Sequence, residues 1–143
     1  GFGPPAFDAR FFERRGGRLG GERASYERYH QSKLANLLFT SALADKLAAR
    51  GSDVKALACT PGVCATDMYV HVARRGGASA TVDMSRVASV EDGACAQLLC
   101  ICSPLARSGQ LLGPPGLGGY PVEIPLTPPR ALVDDASKEQ LWE

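Results

Sequence analysis

Between residues 29 and 50 apolar side chains return at Leu34, Leu37, Leu38, Ala42 and Leu47 among polar neighbours. That spacing of three and four predicts an amphipathic α-helix of about six turns. Gly51 stops it. After Ser52 and Asp53 the run Val54-Lys55-Ala56-Leu57-Ala58-Cys59-Thr60 is apolar except for Lys55, and it reads as a short buried strand of a parallel sheet, closed by Pro61-Gly62. Val90 to Cys102 reads as a second helix. Ser89, with Asp92 three residues on, begins it in the manner of a capping box, and Pro104 ends it. Pro121 to Leu126 suits an extended edge segment, and Asp134 to Trp142 a short terminal helix docked by Leu141 and Trp142. Residues 1–25 read as a loop rich in Gly and Arg, in which Phe2, Phe7, Phe11 and Phe12 follow no period.

Chemistry enters at the head of the first helix. Tyr29 and Lys33 are four residues apart and so share a helix face. An ammonium beside a phenol favours the phenolate, and a general acid works best when its pKa approaches the working pH. Taken alone, the pair is equally two residues on a solvated face. In an open α/β sheet ligands gather beyond the carboxyl ends of the strands, so a cofactor would be met at Pro61 to Thr66; the dipeptide alone describes an ordinary strand-to-helix turn.

The order of these features is recognisable. Tyr29-His30-Gln31-Ser32-Lys33-Leu34-Ala35-Asn36, a strand, and then Pro61-Gly62-Val63-Cys64-Ala65-Thr66 resemble the carboxyl-terminal half of a short-chain dehydrogenase/reductase. The wording is most similar to the retinol-dehydrogenase and protochlorophyllide-reductase-like group. Ser89-Val90-Glu91-Asp92-Gly93-Ala94 looks like that family's next helix, and Gly109-Gln110-Leu111-Leu112-Gly113 like the turn into its last strand. The resemblance covers about Tyr26 to Glu143. It implies an α/β fold in which residues 26–143 are the carboxyl-terminal half of a doubly wound, parallel-sheet Rossmann-like domain, with residues 66–89 as the substrate loop. The amino-terminal dinucleotide-binding half is expected to lie outside this chain.

The resemblance also implies roles. Tyr29 would exchange a proton with a carbonyl or alcohol oxygen of a small-molecule substrate. Lys33 would lower the tyrosine pKa and hold the nicotinamide ribose hydroxyls. Val63, through its backbone, and Thr66, through hydroxyl or backbone, would face the carboxamide beside Pro61 and Gly62. The cofactor would be NADP or NAD, NADP being favoured by the resemblance alone.

Departures set against it are specific. No strand–Gly-x-x-x-Gly–helix precedes Tyr29, and no serine lies between Gly1 and Ala24 where the family often places a catalytic one. Ser25 is too near Tyr29 for that part, and Ser32 points elsewhere. A doubly wound sheet of this kind needs roughly 200 to 300 residues, whereas this chain has 143. A second reading is therefore a non-catalytic truncated remnant, acting at most as a protein-interaction module. The family's tyrosine helix often joins a subunit interface, which keeps a homo-oligomer open. A glycine-rich strand-turn-helix encoded upstream of Gly1 would favour the enzyme.

Charge and composition narrow the partners. A net charge of +1, from 16 basic and 15 acidic residues, makes no case for nucleic acid. Seven basic against four acidic residues in the first 33, with Arg14, Arg15, Arg18 and Arg23 around paired glycines, read as a solvated loop. No run reaches the ~18 apolar residues of a membrane span, and membrane association stays open. Cys59, Cys64, Cys95, Cys100 and Cys102 match no zinc or disulfide spacing, so buried reduced thiols and a reducing compartment, cytoplasm or plastid stroma, are expected. His30 and His71 are too few for a metal site. Gly113-Pro114-Pro115-Gly116-Leu117-Gly118-Gly119 lacks the donors and the following helix that phosphate needs. Asp67 to Arg86, with Met68, Tyr69, Val70, Val72, Val82 and Met84, reads as a flap over an apolar ligand or, equally, as an exposed connection; Arg74-Arg75 would suit an acidic ligand less well.

Overall fold

The structure is a computed structural model that describes residues 6–13, 22–74, 82–126 and 134–143. Arg14, Arg15, Gly16, Gly17, Arg18, Arg75, Gly76 and Gly77 lie outside the described residues. Its elements run α1 (Glu22–Ala49), β1 (Ala58–Cys59), α2 (Asp67–Arg74), α3 (Val90–Cys102), β2 (Leu111–Gly113), β3 (Val122–Glu123) and α4 (Asp135–Trp142), with 3₁₀ turns at Ala9–Phe12 and Met84–Arg86. The architecture is mixed α/β. Two compact units divide it: Gly1–Ala56 with Leu126–Glu143, and Leu57–Pro125.

The first unit is organised by α1. Its 28 residues begin at Glu22, inside the stretch read as loop, because Glu, Arg and Ala carry strong helix propensity without any apolar period to announce it. Ala24, Gln31, Leu34, Ala35, Leu38 and Ala42 form the buried stripe, spaced by three, four and seven as one helix face requires. At the far end Gly51 takes φ 61°. Its N–H reaches the Ala48 carbonyl at 3.0 Å and the Ser52 N–H the Leu47 carbonyl at 3.0 Å, the paired bonds that close a helix on a left-handed residue.

Two segments lie on this helix. Gln31 is fully buried, and its side chain accepts from the Asp8 N–H at 3.0 Å and donates to the Ala6 carbonyl at 2.9 Å, so no polar atom is stranded. Arg28 adds a hydrogen bond to the Phe11 carbonyl and lies over the Phe11 ring at 5.5 Å. On the same helix α4 docks through Leu141, packed against Leu34 and Leu38, and through Trp142, stacked on Phe39 at 5.5 Å. Lys46 Nζ sits 4.8 Å from the Trp142 ring centre. The expected docking residues of the terminal helix are the ones observed.

In the second unit β1 pairs parallel with β2, and β2 pairs antiparallel with β3, giving a three-stranded mixed sheet in the order β1-β2-β3. Only Ala58 and Cys59 of the expected strand are in the ladder, held by Ala58 N–H to Gln110 O and Thr60 N–H to Leu112 O, each 2.9 Å. Val54, expected inside a buried strand, is 64% exposed. The edge strand β3 is tied by Glu123, which accepts from Arg107 at 2.8 Å and Gln110 at 2.6 Å. Helix α3 packs on β1 and β2, and Ser89 caps it by accepting the Asp92 N–H at 3.0 Å.

Two stability predictions follow from these contacts. Lys138 Nζ lies 2.7 Å from Asp45 and 3.4 Å from Asp135, and its hydrogen bond to Asp45 holds the ammonium above the ordinary lysine value of 10.5. A raised folded-state pKa contributes stability that is complete below the unfolded value and fades above it. Alkaline titration followed through the fluorescence of Trp142, the sole tryptophan, is therefore expected to show α4 loosening only above pH 10.5. Lys138→Met keeps the stem but lowers neutral-pH stability by about 0.5–1 kcal/mol, since Asp45 is largely solvated. An identical alkaline transition in that variant would contradict the assignment.

The second concerns Gly93. A Cβ there would stand 2.3 Å from Cys64 Sγ and 3.5 Å from Pro61 Cβ, so α3 needs glycine to lie on the turn after β1. Gly93→Ala, which in an open helix would stabilise by up to about 1 kcal/mol, is expected here to destabilise by about 1–3 kcal/mol. Adding Cys64→Ala removes the clashing sulfur and should restore most of the loss in a denaturant-unfolding cycle; simple additivity of the two substitutions would count against this packing.

Candidate functional site

The sequence-predicted residues fall into two sets, one in each unit. Tyr29 and Lys33 lie on the face of α1 opposite the buried stripe, since at 100° per residue both point away from Gln31, Leu34 and Leu38. Tyr29 is 55% exposed. Lys33 Nζ stands 5.2 Å from its ring centre, within the range of a cation–π contact. The structure thus brings these two side chains together as the spacing predicts. Ser32, between them in sequence, donates its hydroxyl to the Tyr29 carbonyl at 2.6 Å and is thereby committed to the helix backbone. His30 sits beside Tyr29 and Tyr26, with ring centres at 5.8 and 6.4 Å. Its buried Nδ1 has no hydrogen-bond partner among the described residues.

Pro61, Gly62, Val63 and Thr66 sit together on the turn that leaves β1. Gly62 holds φ 73°, and a Cβ there would meet Pro114 Cγ at 2.5 Å. Both the left-handed backbone and the close approach of Pro114 select glycine. The Gly62 N–H reaches Thr60 Oγ1 at 3.3 Å, and the Cys64 thiol donates to the Pro61 carbonyl at 3.3 Å. Cys64 pairs with Ala88 in an isolated parallel bridge: Ala88 N–H donates to Val63 O at 3.1 Å and Ala65 N–H to Ala88 O at 3.0 Å. The turn is therefore pinned from both flanks, and the Val63 carbonyl is already engaged.

Thr66 begins α2. Its hydroxyl accepts the Tyr69 N–H at 3.3 Å and its carbonyl the Val70 N–H at 3.0 Å, the work of an N-cap residue. A hydroxyl that accepts once still has its proton to donate. The helix itself was not expected: Asp67 to Arg86 reads as flap or connection, yet Asp67–Arg74 is helical. The missed signal was Thr66-Asp67, a capping residue followed by an acid in the first turn. Tyr69, named only for its apolar ring, carries a buried hydroxyl without a partner among the described residues.

Other features carry less. A groove of about 470 Å³ between α1 and α4 lies more than two turns of α1 beyond Lys33, and its Asp45, Asp135 and Lys138 are paired with one another. The expectation of buried thiols holds for Cys64 alone; Cys59 on β1 is half-buried, and on α3, which turns only one face to the sheet, Cys95 and Cys100 are half-buried and Cys102 is exposed. Burial pushes the Cys64 thiol above its ordinary value, with Asp92 adding to it. Among the described residues no group of three or more His, Cys, Asp or Glu is arranged to hold a metal, and no helix is long and apolar enough to cross a membrane.

Comparison with known proteins gives a short match and a structural one. No family model matches the chain. Over 44 residues it is 57% identical to polyprenol dehydrogenase of Homo sapiens, a stretch that covers 31% of this chain and 13% of that enzyme. The fold is similar to that in a crystal structure of an uncharacterized protein from Mycobacterium paratuberculosis, with a TM-score of 0.64 and 27% identity, covering 98% of this chain and 42% of that one. The chain thus spans less than half the length of the proteins it matches. Within those bounds, the likeness to a dehydrogenase suggests the short-chain dehydrogenase/reductase superfamily at most, and hints at an oxidoreductase.

Proposed function

We propose that this chain is the carboxyl-terminal part of a nicotinamide-dependent oxidoreductase of the short-chain dehydrogenase/reductase superfamily, from its retinol-dehydrogenase and protochlorophyllide-reductase-like group. The observation that carries the reading is the exposed Tyr29 phenol with the Lys33 ammonium over its ring. The short match to a dehydrogenase supports it. On this reading residues 26–143 belong to one doubly wound domain with 66–89 as its substrate loop.

The donor set suits a nicotinamide cofactor, NADP or NAD, in kind. Ribose hydroxyls call for a cation and a hydroxyl-bearing neighbour, which Lys33 and Tyr29 provide on α1. A carboxamide calls for a donor and an acceptor. Beside Pro61 and Gly62, the turn after β1 provides the Val63 backbone, whose carbonyl accepts from Ala88 and keeps a second lone pair, and the Thr66 hydroxyl, whose proton remains to be donated while its oxygen caps α2. When bound, such a cofactor supplies hydride exchange with the substrate carbon. The chain's own contribution is proton exchange at the Tyr29 hydroxyl, with Lys33 placing positive charge beside it, and a turn held rigid by Ala88 and Pro114 so that its donors do not reorganise.

Three variants test this in the complete protein. Tyr29→Phe keeps the ring and deletes the oxygen, so kcat should fall about 10²–10⁴-fold while cofactor affinity holds, and Lys33→Ala should damage both. Tyr26→Phe, one turn earlier, should leave the rate nearly unchanged. Retention of most activity by Tyr29→Phe would refute the assignment of Tyr29 as the proton donor.

For the substrate, Met68, Tyr69 and Val70 on α2 with Val82 beyond it offer apolar surface worth ~25 cal/mol per Å² removed from water. A hydrophobic aldehyde, ketone or alcohol is the class they favour. A substrate panel should show medium-chain or lipid-like carbonyl compounds turned over ahead of sugar phosphates and dicarboxylates, and the reverse order would overturn the apolar reading.

A further inference from the structure

We propose that Cys59 and Cys100 are a redox-active dithiol, which a peroxide converts to a disulfide joining β1 to α3. The two thiols come from elements that pack on one another. Cys100 Sγ lies 3.9 Å from the carbonyl oxygen of Ala58, the residue next to Cys59, and the Cys59 sulfur is near enough to help raise the Cys100 thiol. Both are free and half-buried, open enough for a small oxidant to reach.

The other three cysteines are placed differently. Cys64 is buried, with its thiol on the Pro61 carbonyl. Cys95 bonds back to the Glu91 carbonyl within α3 at 3.7 Å, and Cys102 is exposed near the end of that helix.

The chemistry balances in two steps. The Cys59 sulfur attacks one oxygen of hydrogen peroxide; an S–O bond forms, the O–O bond breaks, and the other oxygen leaves as water, carrying the thiol proton. The Cys100 sulfur then attacks the Cys59 sulfenic acid; the S–S bond forms, the S–O bond breaks, and hydroxide leaves with the Cys100 proton as a second water. Two thiols lose two electrons and two protons, and one peroxide is reduced to two waters. The order follows from the surroundings: burial, then the adjacent Cys59 sulfur, push the Cys100 thiol up to about 11, so Cys100 keeps its proton and acts second, as the resolving thiol.

The bond would sit where it has mechanical consequence. Cys59 is the last residue of β1, two residues before the turn at Pro61, and α3 lies over that turn through Gly93. A disulfide at the far end of α3 fixes the helix to the strand as well as to the turn. This inference is independent of the proposed oxidoreductase activity.

The test uses the whole chain, reduced and then treated with stoichiometric hydrogen peroxide, blocked with N-ethylmaleimide and mapped by peptide mass spectrometry. The expected product is a Cys59–Cys100 linked peptide, lost in Cys59→Ser and Cys100→Ser and kept in Cys95→Ser and Cys102→Ser. In Cys100→Ser the reaction should stop at a Cys59 sulfenic acid, trapped by dimedone. Linkage of Cys59 to Cys64 or Cys102 in the unsubstituted chain, or full alkylation of Cys59 and Cys100 after peroxide, would overturn the proposal.

Discussion

One narrow stripe on α1 decides what the first unit can be. Ala24, Gln31, Leu34, Ala35, Leu38 and Ala42 are the residues it buries, and they must share one side of the helix. A helix has only so much circumference, so fixing that side fixes the other. Tyr29 and Lys33, two residues either way from Gln31, are thereby turned outward. Anything that slid the helix along its partners by one residue would turn the phenol by about 100° and bury part of it. The exposure of the Tyr29–Lys33 pair is thus a consequence of packing on the opposite face.

Gln31 is what prevents such sliding. Leucine and alanine can exchange neighbours at small cost, because dispersion is not directional. A buried amide cannot. Its oxygen takes the Asp8 N–H and its nitrogen gives to the Ala6 carbonyl, and leaving either unpaired would cost about 1–3 kcal/mol. The residue that sets the register of α1 against residues 6–13 therefore stands between the tyrosine and the lysine in sequence. In a motif that reads Tyr29-His30-Gln31-Ser32-Lys33, each intervening position has work within this unit: Gln31 sets the register, Ser32 bonds the Tyr29 carbonyl, and His30 packs its ring beside Tyr29.

What was legible in the sequence follows the same physics. The Tyr29–Lys33 pairing, the glycine stop at Gly51, the Ser89 cap and the docking of Leu141 and Trp142 each rest on local spacing or a single residue's chemistry, and local rules suffice for them. The start of α1 was hidden because propensity without periodicity leaves no stripe to read. Gln31 was hidden because a polar residue in a helix is, by default, assigned to solvent; only the tertiary position of residues 6–13 makes it interior. The strand through Val54 was overread, since an apolar run cannot announce that a neighbouring strand pairs with only two of its residues. Helix α2 departs from the reading of Asp67 to Arg86 as flap or connection, although Thr66-Asp67 is a cap written in plain sequence.

The second unit shows why the turn at Pro61 is more than a connection. Its shape is over-determined: Pro114 presses on Gly62, Gly93 admits the Cys64 sulfur, and Ala88 bonds on both sides of Cys64. Each constraint comes from a segment distant in sequence, so none could be relaxed by a local change alone. A turn held in this way is ordered by the fold itself, and the entropy of ordering it has been met during folding. Thr66 completes the arrangement, because the hydroxyl whose proton could serve a ligand has its oxygen fixed by the first turn of α2. A threonine used this way keeps its orientation, which a free loop hydroxyl does not.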